Sequence, residues 1–284
     1  MLSKFVMKKN YPFVFLLFLI SFSGYAQSGK LFSVDNELSS SMINDVYQDR
    51  NGLVWIATED GLNRYDGSKF TVYKQDDKKP NSLLNNYVRV LLEDSKGHML
   101  IGFFNGLQLY DYATDTFTEI PLILENGNKY DSHVLTLLER KNGDVLIGTS
   151  GQGLLLLKEE GDQLYAKQNS GYVPSNFINY MYEDKHQNLW ISTQDQGLFQ
   201  LSKDNQLINF SNSKGMSSNS ITNIVEDKAG NLYVGSLDRG LFLYDENTKS
   251  FSSMPLMDDQ ILPINVLYLN KEGTIYIGTE GKGM

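Results

Sequence analysis

Along this chain an apolar run, a polar turn and a second apolar run recur as one unit. Residues 49–62, from the turn into the second run, read Asp49-Arg50-Asn51-Gly52-Leu53-Val54-Trp55-Ile56-Ala57-Thr58-Glu59-Asp60-Gly61-Leu62. The pattern returns at 94–107, 140–154, 184–198 and 227–241, and begins again at 270–284. The first-turn glycines are Gly52, Gly97, Gly143, Gly230 and Gly273, with Gln187 in the fourth copy. The second-turn glycines are Gly61, Gly106, Gly153, Gly197, Gly240 and Gly283.

Ahead of each first turn lies an apolar segment that predicts an innermost strand: Ile43, Val88, Val134, Ile178, Ile221 and Ile264 open it in register. Asp or Asn in the turn can bond its own backbone, and Gly supplies the positive φ of a tight hairpin. The second strand is nearly continuous in apolar residues, as in Leu189-Trp190-Ile191. A strand covered on one face would alternate, so the run predicts cover on both. Within it a large residue (Trp55, Leu100, Leu146, Trp190, Tyr233, Tyr276) is followed two positions later by a small one (Ala57, Gly102, Gly148, Ser192, Gly235, Gly278). A third strand begins after the second glycine. A fourth, more polar one suits an outer edge, as at 70–73, 117–120, 207–210 and 251–254.

A period of about 44 residues is the length of one four-stranded propeller blade. The predicted fold is therefore all-β: a β-propeller of four-stranded antiparallel blades, five complete and a sixth partial, in an incomplete ring. Residues 31–34 predict a lone strand that could pair with a last blade.

Composition sharpens the picture at the N-terminus. Lys4, Lys8 and Lys9 precede an apolar run at 13–22, and Gly24-Tyr25-Ala26 offers small residues for cleavage. This reads as an export signal over 1–26, leaving 27–284 as repeats; the run is short for a membrane span. The leader carries three lysines and no acid, so its removal takes the formal charge from −9 to −12. Such a chain is a poor partner for nucleic acid or anionic lipid. There is no cysteine, which excludes disulfides, zinc–thiolate sites and a lipidated N-terminal Cys.

The Asp-x-x-Gly-x-apolar-Trp-Ile-small-Thr unit with its following Gly-Leu resembles the two-component regulator propeller repeat. The resemblance runs from Leu38 to Met284. It implies the periplasmic sensor region of a hybrid two-component system, with an oligosaccharide stimulus, a propeller homodimer and a histidine kinase beyond this chain. Arg140 and Asn270 replace the turn Asp and Gln187 a turn Gly, which predicts different turns in those blades. Propellers of this family usually have seven blades per ring. The chain therefore reads as the N-terminal fragment of a longer sensor or as a truncated gene, the alternative being a complete short protein that closes by dimerising. Any membrane contact would come through the leader or a downstream region.

Few residues suggest chemistry. His98, His133 and His186 share no metal-ligand spacing. Asp49, Asp94, Asp184 and Asp227 lack the alternating carboxylates of a calcium loop and read as turn formers. Neither a nucleophile elbow nor a phosphate loop appears. No cofactor is expected, and the chain alone does not read as an enzyme. In a four-stranded meander the loops before strand one and between strands two and three open on one face. That face carries Asn44, Tyr87, Arg89, His133, Phe177 and Asn179 at the strand-one entrance, and Asp60, Asn105, Asp195, Asp238 and Arg239 in the second loop. Aromatic rings beside amides, carboxylates and Arg are what a sugar site uses, so these are the candidate ligand residues. The alternatives are a secreted propeller lyase or glycosidase, which would need converging His or carboxylates, and a protein-binding scaffold.

Overall fold

The computed structural model describes residues 32–280, apart from 162, 211–213 and 257–260. The leader expected at 1–26, its cleavage point and Gly283 lie outside the described residues. Blade one is a meander of Ile43–Gln48 (β1), Val54–Thr58 (β2), Gly61–Tyr65 (β3) and Phe70–Tyr73 (β4). Blade two continues with Val88–Glu93 (β5), Met99–Phe103 (β6), Gly106–Asp111 (β7) and Thr116–Ile120 (β8).

Blade three departs from the four-stranded expectation. A small hairpin, Leu122–Ile123 (β9) and Lys129–Tyr130 (β10), precedes His133–Glu139 (β11), Val145–Ser150 (β12), Leu154–Glu160 (β13) and Gln163–Gln168 (β14). Strand β9 runs parallel to β14 and widens this sheet to six strands. Leu122 and Ala166, opposite one another, are buried with Ile120 and Val134, so the connection from blade two is held by apolar burial.

Blade four comprises Ile178–Glu183 (β15), Leu189–Thr193 (β16), Gly197–Leu201 (β17) and Leu207–Phe210 (β18). Blade five comprises Ile221–Glu226 (β19), Leu232–Ser236 (β20), Gly240–Asp245 (β21) and Ser250–Met254 (β22). Blade six is described as two strands, Ile264–Leu269 (β23) and Ile275–Thr279 (β24).

The innermost strands β1, β5, β11, β15, β19 and β23 stand side by side in that order around an axis. Between blades the second strands are buried on both faces, as their apolar runs require. Trp55 and Trp190 are fully enclosed. The small positions let the blades interlock: a Cβ on Gly148 would stand 2.5 Å from Thr136 Cγ2 of its own blade and 2.8 Å from Ile178 Cγ2 of the next.

A second device joins the blades at the turn face. The last residue of the inner strand is Glu93, Glu139, Glu183 or Glu226, and each accepts from a backbone N–H in the preceding blade. The donors are Arg50, Ser95, Lys141 and Lys185, one residue past the turn position, at 2.6–3.0 Å. Charge-assisted bonds of this kind are stronger than neutral ones.

The ring is incomplete. Val46 is 56% exposed, whereas its counterparts Leu91, Met181, Ile224 and Leu267 are all buried. At the other end Tyr276 is 40% exposed while its counterparts Trp55, Leu100, Leu146 and Trp190 are buried. Each terminal blade thus shows the face that the interior blades cover.

Two expectations need correction. Within 31–34, Phe32 and Ser33 have no strand and Val34 begins a single 3-10 turn, Val34–Asn36, while Leu31 is outside the described residues. Phe32 packs on Tyr65 and Phe70 of blade one, ring centroids 5.0 and 5.1 Å away, so this segment serves its own blade. Nor do the variant turns differ in backbone. Gln187 N donates to Asp184 O at 3.0 Å with φ +67°, as Gly52 N donates to Asp49 O at 2.9 Å with φ +82°. The Arg140 and Asn270 turns close the same way. The turn is set by the two strands it joins, and the side chain adapts.

Candidate functional site

Each of the six inner strands carries the same defect. Pairing with the second strand skips one residue between Ile43 and Asp45, Val88 and Val90, Val134 and Thr136, Ile178 and Tyr180, Ile221 and Asn223, and Ile264 and Val266. These are β-bulges, which take one residue out of the ladder and re-aim it. The bulge lets residues two apart face opposite neighbours: Val88 is buried against blade one with Ala57, whereas Val90 packs with Val134 of blade three.

The skipped residues are Asn44, Arg89, Leu135, Asn179, Thr222 and Asn265. Five of them, all but Asn44, line a single cavity of about 520 Å³, together with Gln194, Asn219, Ser220, Ile221 and Leu237. Asn44 instead donates from Nδ2 to Val88 O at 2.8 Å, and Thr222 Oγ1 donates to Ile264 O at 2.8 Å. In these two blades the bulged side chain bonds the carbonyl just ahead of the next bulge. Among the described residues no partner is bonded to the side chains of Arg89, Asn179 or Asn265.

An aromatic group stands where blades two and three meet. Phe104 is 57% exposed, and its ring lies 4.7 Å from that of His133. Tyr87 is 6.3 Å from both rings. Burial, with the Arg89 charge, pushes the His133 imidazole below its usual value, disfavouring its charged form. Its Nε2 is buried without a protein partner among the described residues, as is Oδ1 of Asn105.

The second-loop candidates lie elsewhere. Asp60 pairs with Lys74 Nζ at 2.6 Å. Asp195 accepts from Ser175 Oγ at 2.6 Å and Asp238 from Ser218 Oγ. Arg239 approaches Asp238 at 3.9 Å. Phe177 is 38% exposed, and its carbonyl accepts from Gln194 N at 3.1 Å. None of these except Gln194 lines the 520 Å³ cavity. The structure therefore brings Arg89 and Asn179 into one cavity, groups Tyr87 with His133, and leaves Asn44, Phe177, Asp60, Asp195, Asp238 and Arg239 in local contacts.

Sequence reasoning missed Phe104, Gln194 and Leu237. All three occupy the first position after the second strand. Glu59, Gln194 and Leu237 donate their backbone N–H to Met42, Phe177 and Ser220 at the strand-one entrance, 3.1–3.2 Å away. Those bonds tie the position to the inner strands of blades one, four and five. The aromatic at Phe104, where other blades carry Glu59, Gln194 and Leu237, was the available signal.

The opposite face is committed to structure. Asp184 Oδ1 accepts from the backbone of His186 and Asn188 at 2.9 Å each, and Oδ2 from Asn188 Nδ2 and Trp190 Nε1. Asp49, Asp94 and Asp227 repeat the arrangement, with Trp55, His98 and Asn231 reaching Oδ2. These are the turn-forming roles read from the sequence. A groove between blades four and five lies on this face, but its Asp184 and Glu226 are both engaged.

The family described as two component regulator propeller matches residues 37–60, 172–195 and 215–238, the opening halves of blades one, four and five. A stretch of 54 residues is 37% identical to histidine kinase P4 of Formosa agariphila, covering 19% of this chain and 4% of that protein. The extracellular domain of BT4673 of B. thetaiotaomicron, assigned to a hybrid two component system, superimposes with a TM-score of 0.70 at 20% identity, over 84% of this chain and 34% of that one. The corresponding domain of BT3049 gives 0.68 at 22% identity, over 90% and 34%. The chain thus spans 34% of each of these solved chains, and at such identities the likeness is one of fold. The two component regulator propeller family thus matches the opening halves of three blades, and the other three blades share their register.

Proposed function

We propose that this chain is the ligand-sensing propeller segment of an exported hybrid two-component sensor, and that its stimulus is an oligosaccharide. The observation that carries the reading is the convergence of five bulged residues, one per blade, on a single cavity. A rigid scaffold that presents one variable side chain per repeat to a common space is built for recognition. The relatives supply the context: a histidine kinase in one case and extracellular domains of two-component systems in others.

In this reading the leader directs the chain out of the cytoplasm, and two propeller protomers pack together. Ligand shifts that packing, and the shift passes across the membrane to a kinase beyond the residues here. A ligand acts only through its differential affinity for the two arrangements. The segment itself recognises and transmits.

Titration calorimetry of the folded chain against neutral and acidic oligosaccharides tests the proposal. Saturable binding that is lost in an Asn179→Ala/Asn265→Ala variant with an unchanged melting curve supports it. A folded chain that binds no saccharide in the set would instead favour the protein-binding scaffold.

A further inference from the structure

We propose that the cavity at the bulges selects an oligosaccharide bearing an anionic substituent, a carboxylate or a sulfate, which the guanidinium of Arg89 binds while the ring of Phe104 stacks on the sugar. This rests on the oligosaccharide reading above and adds its charge.

The chain has five arginines. Arg50 meets Glu93 at 2.7 Å, Arg64 meets Asp115 at 3.0 Å, Arg140 meets Glu183 at 2.9 Å, and Arg239 lies 3.9 Å from Asp238. Arg89 alone has no carboxylate partner among the described residues. Its placement comes from the bulge, which takes it out of the ladder and sets it in the cavity wall.

The surroundings set the sign. In a chain with 34 acidic and 25 basic side chains, the cavity wall contains Arg89 and no Asp or Glu. Asp45 feels the Arg89 charge, but its oxygens are already held by the backbone N–H groups of Leu91 and Val46, each at 2.8 Å. Burial also pushes the Asp45 carboxyl above its ordinary value, against the Leu91 and Val46 bonds and the Arg89 charge. An unpaired planar guanidinium presents a fork of donors that fits a carboxylate or sulfate.

The rest of the wall suits the uncharged part of a sugar. Asn179 and Asn265 offer amide donors and acceptors for hydroxyls. Phe104, which lies outside the wall against the ring of His133, offers an exposed apolar face, and His133 is near enough to Arg89 to feel its charge.

The test uses the whole chain and three probes: an oligogalacturonate, its carboxyl-reduced neutral twin, and a sulfated galactan oligosaccharide. Calorimetry should show the acidic probes binding at least about tenfold tighter than the neutral twin. Arg89→Gln should erase that preference, lowering affinity for the acidic probes far more than for the neutral twin. Arg89→Lys should keep part of it, and Phe104→Ala should weaken every probe. Thermal melts matching the wild type guard against misfolding. Comparison of the two acidic probes tells carboxylate from sulfate.

Equal binding of the acidic probes and the neutral twin, unmoved by Arg89→Gln, overturns the anion inference and leaves the oligosaccharide reading standing. A folded chain that binds none of the three overturns both.

Discussion

The indole Nε1 of Trp190 donates to Oδ2 of Asp184 at 2.9 Å, across the first hairpin of blade four. The same carboxylate closes the turn through its other oxygen, so one buried side chain joins the hairpin to the interior between blades. Trp55 and Asp49 repeat the relationship at 2.8 Å in blade one.

Removing the carboxylate leaves turn amides and a buried indole N–H without an acceptor. Asp184→Ala should cost about 3 kcal/mol. Trp190→Ala should cost about 3–5 kcal/mol through lost packing. Because the two share one bond, the double variant should lose less than the sum. Urea unfolding of the three variants measures this, and strict additivity would show the pair to be uncoupled.

The contact of Gly148 with Thr136 and Ile178 makes blade spacing sensitive to one methyl group. Gly148→Ala should destabilise by about 1–3 kcal/mol through overpacking. Adding Thr136→Ser, which removes the nearer methyl, should recover part of the loss. An unchanged melting temperature in Gly148→Ala would mean that the blades separate freely.

Gln187 holds φ at +67°, a conformation that costs a residue with a Cβ about 1–2 kcal/mol. Gln187→Gly should therefore raise stability by up to about 1 kcal/mol, once the freer unfolded chain is counted. Gly52→Ala at φ +82° should lower it, although a Cβ there meets nothing within 4 Å. The sign of each change in the denaturant midpoint checks the conformational argument without any change of packing at Gly52.

Acid should weaken the contact between blades one and two through Asp115. Burial opposes its ionisation, but the hydroxyls of Tyr110 and Tyr73 and the charge of Arg64 outweigh burial and hold the carboxyl below its ordinary value. A depressed carboxyl contributes stability that is complete above the unfolded pKa of about 4. That contribution is lost as pH falls through the folded value. The stability difference between wild type and Asp115→Asn should be flat above about pH 5 and shrink below about pH 4. Unfolding curves across that range decide it; a constant difference would refute the coupling.

Much of the fold was legible because each blade is specified locally. The turn Asp bonds residues within six positions of itself, the first-turn glycines sit where φ is positive, and the apolar second strand marks burial on both faces. The hairpin Leu122–Ile123 and Lys129–Tyr130 was not legible: two-residue strands carry no periodicity, and their pairing depends on β14 some 40 positions later. At the candidate site, Arg89 and Asn179 could be named from register. Phe104 offered only its aromatic type as a signal, because its packing on His133 joins blades two and three and no single repeat encodes that contact.

The sequence by itself determined the repeat, the blade, the turn chemistry and the face on which variable side chains gather, since all of these arise from interactions within one period. Only the tertiary structure decided which side chains meet. The bulges are defects in pairing that leave no mark in composition, and the cavity that five of the six line joins residues from five blades. Their convergence, and the place of Arg89 within it, depends on how each blade packs against the next.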